Sequence, residues 1–520
     1  MRLITNLKLK SKTIIFLFFF IFLIIGLFIF QDYGLSWDEK LQRDIGLTNI
    51  KYIFRNNQSL LNFQDRHYGP AFELVLISAE KLINPKANLE TKANYYLRHL
   101  ITFLSFYLGV IFFYLLLKKS FRNWRLGLLG ALFLILSPRI FSHSFYNSKD
   151  IPFFSFFIIS IYTLIKYLDN KKVSNAIIHG IICGFLIAIR ISGIIVPLLT
   201  LIFCAVDFFV FTKLRNKNNS FLSLGHYLFI LIVSTIIFWP FLWAHPLLNF
   251  IEAFKKMTSF PLNATALYLG KDYQFRNLPW HYIPLWIIIT TPILYFVFFI
   301  SGLLTSIKQF FLGPIKFYQQ QKPFFILICW FFIPITMVIL FRTPVYDEWR
   351  HLFFVYPALI GIAIYGFNSI YQKIAKRHKI LPIIYFFIIG CCLLNISLWM
   401  IKNHPFQNLY FNRLAGKNMS QIKNKFELDY WGLSYRKALE YILKHDRNQF
   451  IKIYVNTVAG EYTSLIFPES LRKRLIYVDN PNKAKYFIGN YRWHKEDYPY
   501  KEEYYSLKID NAKIVVIYKL

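Results

Sequence analysis

The chain has 520 residues, with 60 Lys and Arg against 27 Asp and Glu for a net charge of +33, and is 56% hydrophobic and 20% aromatic. The apolar residues gather in blocks of about 17–25, the length that crosses a ~30 Å hydrocarbon core, which excludes an ordinary soluble globular protein. The Lys and Arg residues lie between these blocks, as in cytoplasmic loops facing anionic lipid, so the charge points to a membrane and not to nucleic acid.

In chain order, the first block, Ile14 to Phe30, carries no charge and follows Lys8, Lys10 and Lys12. It lacks the short apolar region and small-residue cleavage site of a signal peptide, and reads as a retained anchor. Further spans are predicted near 99–117, 125–138, 151–168, 174–190, 191–212, 224–243, 281–304, 324–341, 351–370 and 380–401. With the anchor at 13–31 this gives about eleven. Arg190, Ser192 and Gly193 interrupt the stretch 174–212, which reads as a tight re-entry.

Lys118, Lys119, Arg122 and Arg125 fill one loop, Lys171 and Lys172 the next on that side, Lys213, Arg215 and Lys217 a third, and Lys373, Lys376, Arg377 and Lys379 the last. The positive-inside rule makes that side cytoplasmic, with the N-terminus. Loops 32–98, 139–150, 244–280 and 342–350 then face outward, and an odd number of spans puts the C-terminus outside. Within the long first outer loop, 32–98, the stretch from Tyr68 to Ile83 is too short to span and reads as an interfacial helix.

From about Asn403 hydrophobicity falls and charge returns. Tyr435 to His445 reads as an amphipathic helix, and Ile451 to Val455 and Ala512 to Tyr518 read as strands. The expected division is a transmembrane domain over 1–402 and a small α/β extracytoplasmic domain over 403–520. The five cysteines all lie in apolar runs without CxxC spacing, which argues against disulfides or a metal site.

Acidic residues are scarce, and three groups fall at predicted outer span ends: Asp38 with Glu39 in Ser36-Trp37-Asp38-Glu39, Asp150 in Asn147-Ser148-Lys149-Asp150, and Asp347 with Glu348 before Arg350-His351. A carboxylate at a membrane boundary suggests function. Arg66, His67, Arg98, His99, Arg139, His143, Arg190, Arg350 and His351 collect on the same face, where the positive-inside rule does not expect them. The planar fork of Arg suits a phosphate at the outer leaflet; the competing account for each Arg is a snorkelling anchor. Asp38, Glu39 and Asp150 are hard oxygen ligands that could share Mg²⁺ or Mn²⁺, and metal-independent use of the carboxylates is equally compatible.

An acidic pair after the first span, a long first outer loop and a second carboxylate at the second outer loop resemble the GT-C superfamily, glycosyltransferases that use polyprenyl-phosphate sugars. Ser36 to Glu39, the segment Ser137 to Pro152, and Arg350-His-Leu-Phe-Phe-Val-Tyr-Pro357 resemble the bacterial protein-mannosyltransferase-like group, which includes the aminoarabinose transferases of lipid A. Tyr410-Phe-Asn412 and Phe426-Glu-Leu-Asp-Tyr-Trp-Gly432 resemble the tails of bacterial members.

The resemblance implies a polytopic α-helical GT-C-like fold in the bacterial plasma membrane. It implies inverting transfer of a sugar from a polyprenyl-phosphate donor to an acceptor hydroxyl of a protein, lipid or glycan at the outer face. Asp38 would be the base, with Glu39 and Asp150 as catalytic partners; Arg350, His351, Arg98, Arg139 and His143 are the expected donor-phosphate contacts. Asp38 and Asp150 would hold a divalent metal if one is used. The readings from other classes are a transporter or flippase of a lipid-linked saccharide, which would want charge at mid-membrane, and a structural scaffold, which would tolerate loss of Asp38.

Overall fold

A computed structural model of the chain describes residues 2–55, 57–83, 90–210, 217–258 and 264–520, the side chains of 2–10, 210 and 217–220 excepted. The charges of Lys213, Arg215 and Lys217, and those of Lys8 and Lys10, therefore lie outside the described residues.

The chain is an integral multi-pass membrane protein. Among the described residues nine helices are long and apolar enough to cross a membrane, and Trp124–Ile135 with Pro138–Tyr146, bent by 71°, makes ten. The predicted span 174–190 is the apolar helix Val173–Ile189, only 17 residues long. At 1.5 Å per residue it reaches about 25 Å, at the lower limit of what crosses the hydrocarbon core. The re-entry expected after it is a 3₁₀ turn, Ile191–Ile194, leading into Ile195–Val210. The span predicted at 281–304 is two helices, Tyr282–Thr290 and Ile293–Leu312, broken at Pro292, where proline cannot supply a helical N–H. Asn412 closes that break by donating from Nδ2 to the carbonyls of Ile288 at 2.6 Å and Thr291 at 2.7 Å.

The long first loop contains two helices, Glu39–Arg55 and Ala71–Ile83. Glu73 and Glu80 lie on the buried side of the second, against Arg98 and Arg43, so it packs into protein through acids as well as apolar residues.

One aromatic-rich core runs through the helices and takes in Phe406, Leu409, Phe411, Phe426, Tyr430 and Trp431. Residues between 406 and 433 thus pack with the helical bundle. A separate core begins at Tyr435. It joins helix Tyr435–His445 to a five-stranded sheet. With the outer-loop hairpin Thr265–Tyr268 (β1) and Lys271–Gln274 (β2) counted first, the sheet comprises β3 (Ile451–Val455), β4 (Leu475–Tyr477), β5 (Tyr486–Asn490), β6 (Glu502–Ile509) and β7 (Ala512–Lys519). The order is β4-β3-β5-β7-β6, with β3 parallel to β4 and β5, and β7 antiparallel to β5 and β6. The predicted helix 435–445 and strands 451–455 and 512–518 are all present.

The two cores meet at Gly432, whose φ of +73° turns the chain from the bundle into the α/β unit. A Cβ there would sit 2.6 Å from the Ala459 side chain, so the turn requires glycine twice over.

Candidate active site

Five separate stretches of chain converge at one end of the helices, around a cavity of about 210 Å³. The turn after the first helix supplies Trp37 and Asp38, the start of helix Asp150–Asp169 supplies Lys149, and the break at 190 supplies Arg190. The loop before the 3₁₀ turn Arg350–Val355 gives Tyr346, Asp347 and Arg350, and the C-terminal region gives Tyr430, Trp431, Arg492 and Trp493.

Arg350 is the hub. Its Nη1 lies 3.3 Å from both Asp38 Oδ2 and Asp150 Oδ2, and its Nη2 lies 3.1 Å from Asp347 Oδ2. Its guanidinium also stacks on Tyr346 and Trp431, 4.9 and 5.1 Å from the ring centroids. Arg190 holds the other oxygen of Asp150 at 2.7 Å, and Arg492 holds the other oxygen of Asp347 at 2.7 Å. Asp347 and Glu348 both have positive φ, 53° and 65°, a conformation that non-glycine residues rarely adopt. The two carboxylates leave in different directions, Asp347 to Arg350 and Arg492, Glu348 to Arg139.

The three carboxylates around Arg350 differ in exposure: the Asp38 side chain is 25% exposed, Asp347 9% and Asp150 2%. Asp38 is therefore the one that can meet an incoming group. Burial raises its carboxyl above the ordinary value, and Arg350 pulls it back only in part. Asp150 is fixed by its own turn: Asn147 accepts from the Asp150 N–H at 2.8 Å and donates to its Oδ2 at 3.0 Å. His143 touches Asn147 at 3.1 Å and the Tyr430 hydroxyl at 3.3 Å, and so braces the turn from behind.

Lys149 is the cation of the cavity that lacks a carboxylate within 4 Å among the described residues. Its Nζ donates to the Gly69 carbonyl at 3.2 Å and lies 4.6 Å from the centre of the Tyr68 ring. Gly69 itself packs against the end of helix Val173–Ile189, where a Cβ would meet the Ala188 carbonyl at 2.3 Å. Burial, and then the neighbouring Arg190, push Lys149 down to about 7. Four cations (Lys149, Arg190, Arg350, Arg492) face three carboxylates (Asp38, Asp150, Asp347), so the cluster has one positive charge in hand.

Of the residues singled out in the sequence, Asp38, Asp150, Arg190, Asp347 and Arg350 come together. Glu39 does not line the cavity; it accepts from the Ser36 N–H at 2.8 Å and meets His99 Nε2 at 2.9 Å, both buried. Arg98 is also away from the cavity, held by Glu73 and, at 3.2 Å, by Glu80, and is 1% exposed. Arg139 is committed to Glu348, to the Tyr410 carbonyl at 2.9 Å and to the Phe411 ring. His143 supports the Asp150 turn, and His351 packs edge-on against Tyr346. These four were expected to touch a donor phosphate; none of them lines the cavity. The guanidinium of Arg350 occupies the space between Asp38 and Asp150, so the pair does not fit a shared metal as arranged, and among the described residues no group of three His, Cys, Asp or Glu side chains is placed to hold a metal ion.

Residues 97–243 match the family model described as dolichyl-phosphate-mannose-protein mannosyltransferase. Along almost its whole length the chain shares its fold with the crystal structure of ArnT from Cupriavidus metallidurans in the apo state, with TM-score 0.52, 12% identity, and 98% of each chain covered. The crystal structure of ArnT from the same organism bound to undecaprenyl phosphate aligns with TM-score 0.47 and 12% identity over 96% of this chain and 97% of that one. No curated protein matches the sequence. The GT-C-like fold expected from the sequence is the fold found.

Proposed function

We propose that the protein is a membrane glycosyltransferase that moves a sugar from a polyprenyl-phosphate donor to an acceptor hydroxyl at the outer face of the plasma membrane. The observation that carries this reading is the pairing, in one cavity, of a partly exposed carboxylate, Asp38, with a lysine that has no carboxylate partner, Lys149. The matched family description and the shared fold support the donor class.

Asp38 accepts the proton of the acceptor hydroxyl as its oxygen bonds to the anomeric carbon. The bond from that carbon to the phosphate oxygen breaks, and polyprenyl phosphate leaves with the electron pair. A single displacement inverts the anomeric centre. A carboxylate held above its ordinary pKa is a better proton acceptor near neutral pH, and such a base contributes roughly 10²–10⁴-fold. Charge growing on the departing phosphate is met by Lys149, with Arg190 beside it, on the cavity wall. Arg350 is already engaged by three carboxylates, so its part is to hold Asp38 in place; this moves the phosphate contact expected of Arg350 to Lys149.

Asp38, Asp150, Asp347 and the C-terminal sheet lie at one end of the bundle, opposite the ion pair of Lys119 with Asp169 between the basic loops. With the positive-inside rule this gives a cytoplasmic N-terminus and an external C-terminus. The deciding experiment incubates the purified protein with a panel of polyprenyl-phosphate sugars and follows release of polyprenyl phosphate. Release that Asp38→Asn abolishes supports the reading. Movement of the intact lipid-linked sugar across a bilayer without release makes the protein a flippase.

A further inference from the structure

Beyond the cavity that holds Asp38 lies a second one of about 180 Å³, lined by Asp272, Glu427, Trp493, His494 and Glu496 among others. Trp493 lines both cavities and stands between them. It is held from two sides: its Nε1 donates to the Thr265 carbonyl at 3.0 Å, and the Arg492 guanidinium covers the ring at 4.4 Å. The ring is nonetheless 48% exposed, on a backbone with φ of +57°, and Trp37 meets it edge-on at 6.1 Å. An indole kept open at this cost in backbone strain presents a surface for a ligand.

Inside the second cavity Glu427 is 4% exposed, and its Oε1 has no hydrogen-bond partner among the described residues; His494 Nδ1 is likewise without one. A buried polar atom left unpaired is costly, and a ligand hydroxyl would satisfy it. Asp272 and Glu496 add acceptors at the exposed rim. Carboxyl and imidazole acceptors beside an open indole recognise hydroxyl-bearing rings, whose C–H faces lie on the aromatic surface. Three carboxyl groups against Lys495 and His494 disfavour a phosphorylated acceptor.

Resting on the glycosyltransferase reading, we propose that the second cavity is the acceptor subsite and that the acceptor is a saccharide. One ring stacks on Trp493 with its reactive hydroxyl toward Asp38, and the next ring takes a hydrogen bond to Glu427 Oε1. The C-terminal unit then selects the acceptor, while the helices hold the donor.

The test uses the full chain in lipid nanodiscs and three neutral probes, cellobiose, mannobiose and chitobiose, with binding at millimolar concentration read by saturation-transfer NMR. At least one disaccharide should bind. Trp493→Ala should weaken it by about tenfold, the loss of one stacking surface. Trp493→Phe should recover part of that, and Glu427→Gln, which alters the acceptor without changing shape, should weaken binding too. Failure of all three probes to bind, or equal binding by Trp493→Ala or Glu427→Gln, overturns the proposal. Disaccharide binding that needs Trp493 and Glu427, together with normal transfer by Asp38→Asn, would remove the base assignment and leave the saccharide site standing.

Discussion

Two buried ion networks lie side by side at the same end of the bundle, and they differ in one respect. In the first, Arg98 binds Glu73 and Glu80, Arg43 binds Glu80 at 2.9 Å, and Ser148 donates to Glu73 at 2.7 Å. Two cations meet two carboxylates, none of these four side chains is more than 4% exposed, and none of them lines the cavity of Asp38. In the second, centred on Arg350, the cations outnumber the carboxylates by one and Asp38 remains accessible. A balanced, closed network fixes a fold; a network with a spare charge and a cavity can accept a ligand. Ser148 and Lys149 are adjacent, so the closed network positions the turn from which the open one takes its lysine.

The contrast predicts a graded series. Asp38→Asn should have the largest effect on chemistry, lowering turnover by ~10²-fold or more with donor binding intact, because it removes the proton acceptor alone. Steady-state kinetics beside a donor-binding assay checks this, and near-normal turnover would pass the role to Asp150. Arg350→Ala should lower turnover by about 10–10²-fold through misplacement of Asp38, with donor affinity little changed. Arg350→Lys should recover only part, since lysine cannot bridge the carboxylates as a fork does. Loss of donor affinity in Arg350→Ala would return the phosphate to Arg350.

Lys149→Gln should raise the donor KM by roughly 10-fold, about the value of one charge-assisted hydrogen bond. Its pH profile is the sharper test. Lys149 loses its proton as pH rises past about 7, so kcat/KM should fall on the alkaline side from there. Asp38 must be deprotonated to act, so kcat/KM should also fall on the acid side, at a pH raised from the ordinary Asp value by burial. Lys149→Arg, always charged, should abolish the alkaline limb and keep the acid one. Arg98→Met should affect chemistry least. It leaves Glu73 buried without its cation and Glu80 with Arg43 alone, which costs about 3–5 kcal/mol of stability, while the folded fraction turns over normally. A thermal melt beside specific activity separates the two networks, and a specific loss of donor affinity in Arg98→Met would erase the distinction drawn between them.

Most of the spans were legible because a run of apolar residues leaves few alternatives, and helix 435–445 and strands 451–455 and 512–518 were legible through their periodicity. The helix 173–189 stands at the lower limit of a span, where composition reports hydrophobicity more clearly than reach. At the site, the three carboxylates brought together around Arg350 were visible as scarce acids at span ends. Their partners were not, since an arginine beside a boundary reads alike whether it serves a ligand, as around Asp38, or a buried glutamate, as Arg98 and Arg139 do. Lys149 stood within a quoted motif but lacked distinction until its missing carboxylate partner could be seen. Arg492 and Trp493 come from a polar region about 450 residues beyond Asp38, and no local pattern announces such a meeting. The tail segment Phe426 to Gly432 had a signal without a meaning: it proves to supply two walls of the cavity, Tyr430 and Trp431, and the turn into the α/β unit.

The bridge from Arg492 to Asp347 has a consequence for biosynthesis. During translation the helices emerge first, and the strained loop at 347 and 348 waits for its second arginine until the ribosome has passed residue 492. A chain cut short before that point lacks the Arg492 clamp and the Trp493 wall, whatever the state of its helices. Unfinished copies in the membrane would therefore have no complete site in which to consume lipid-linked sugar.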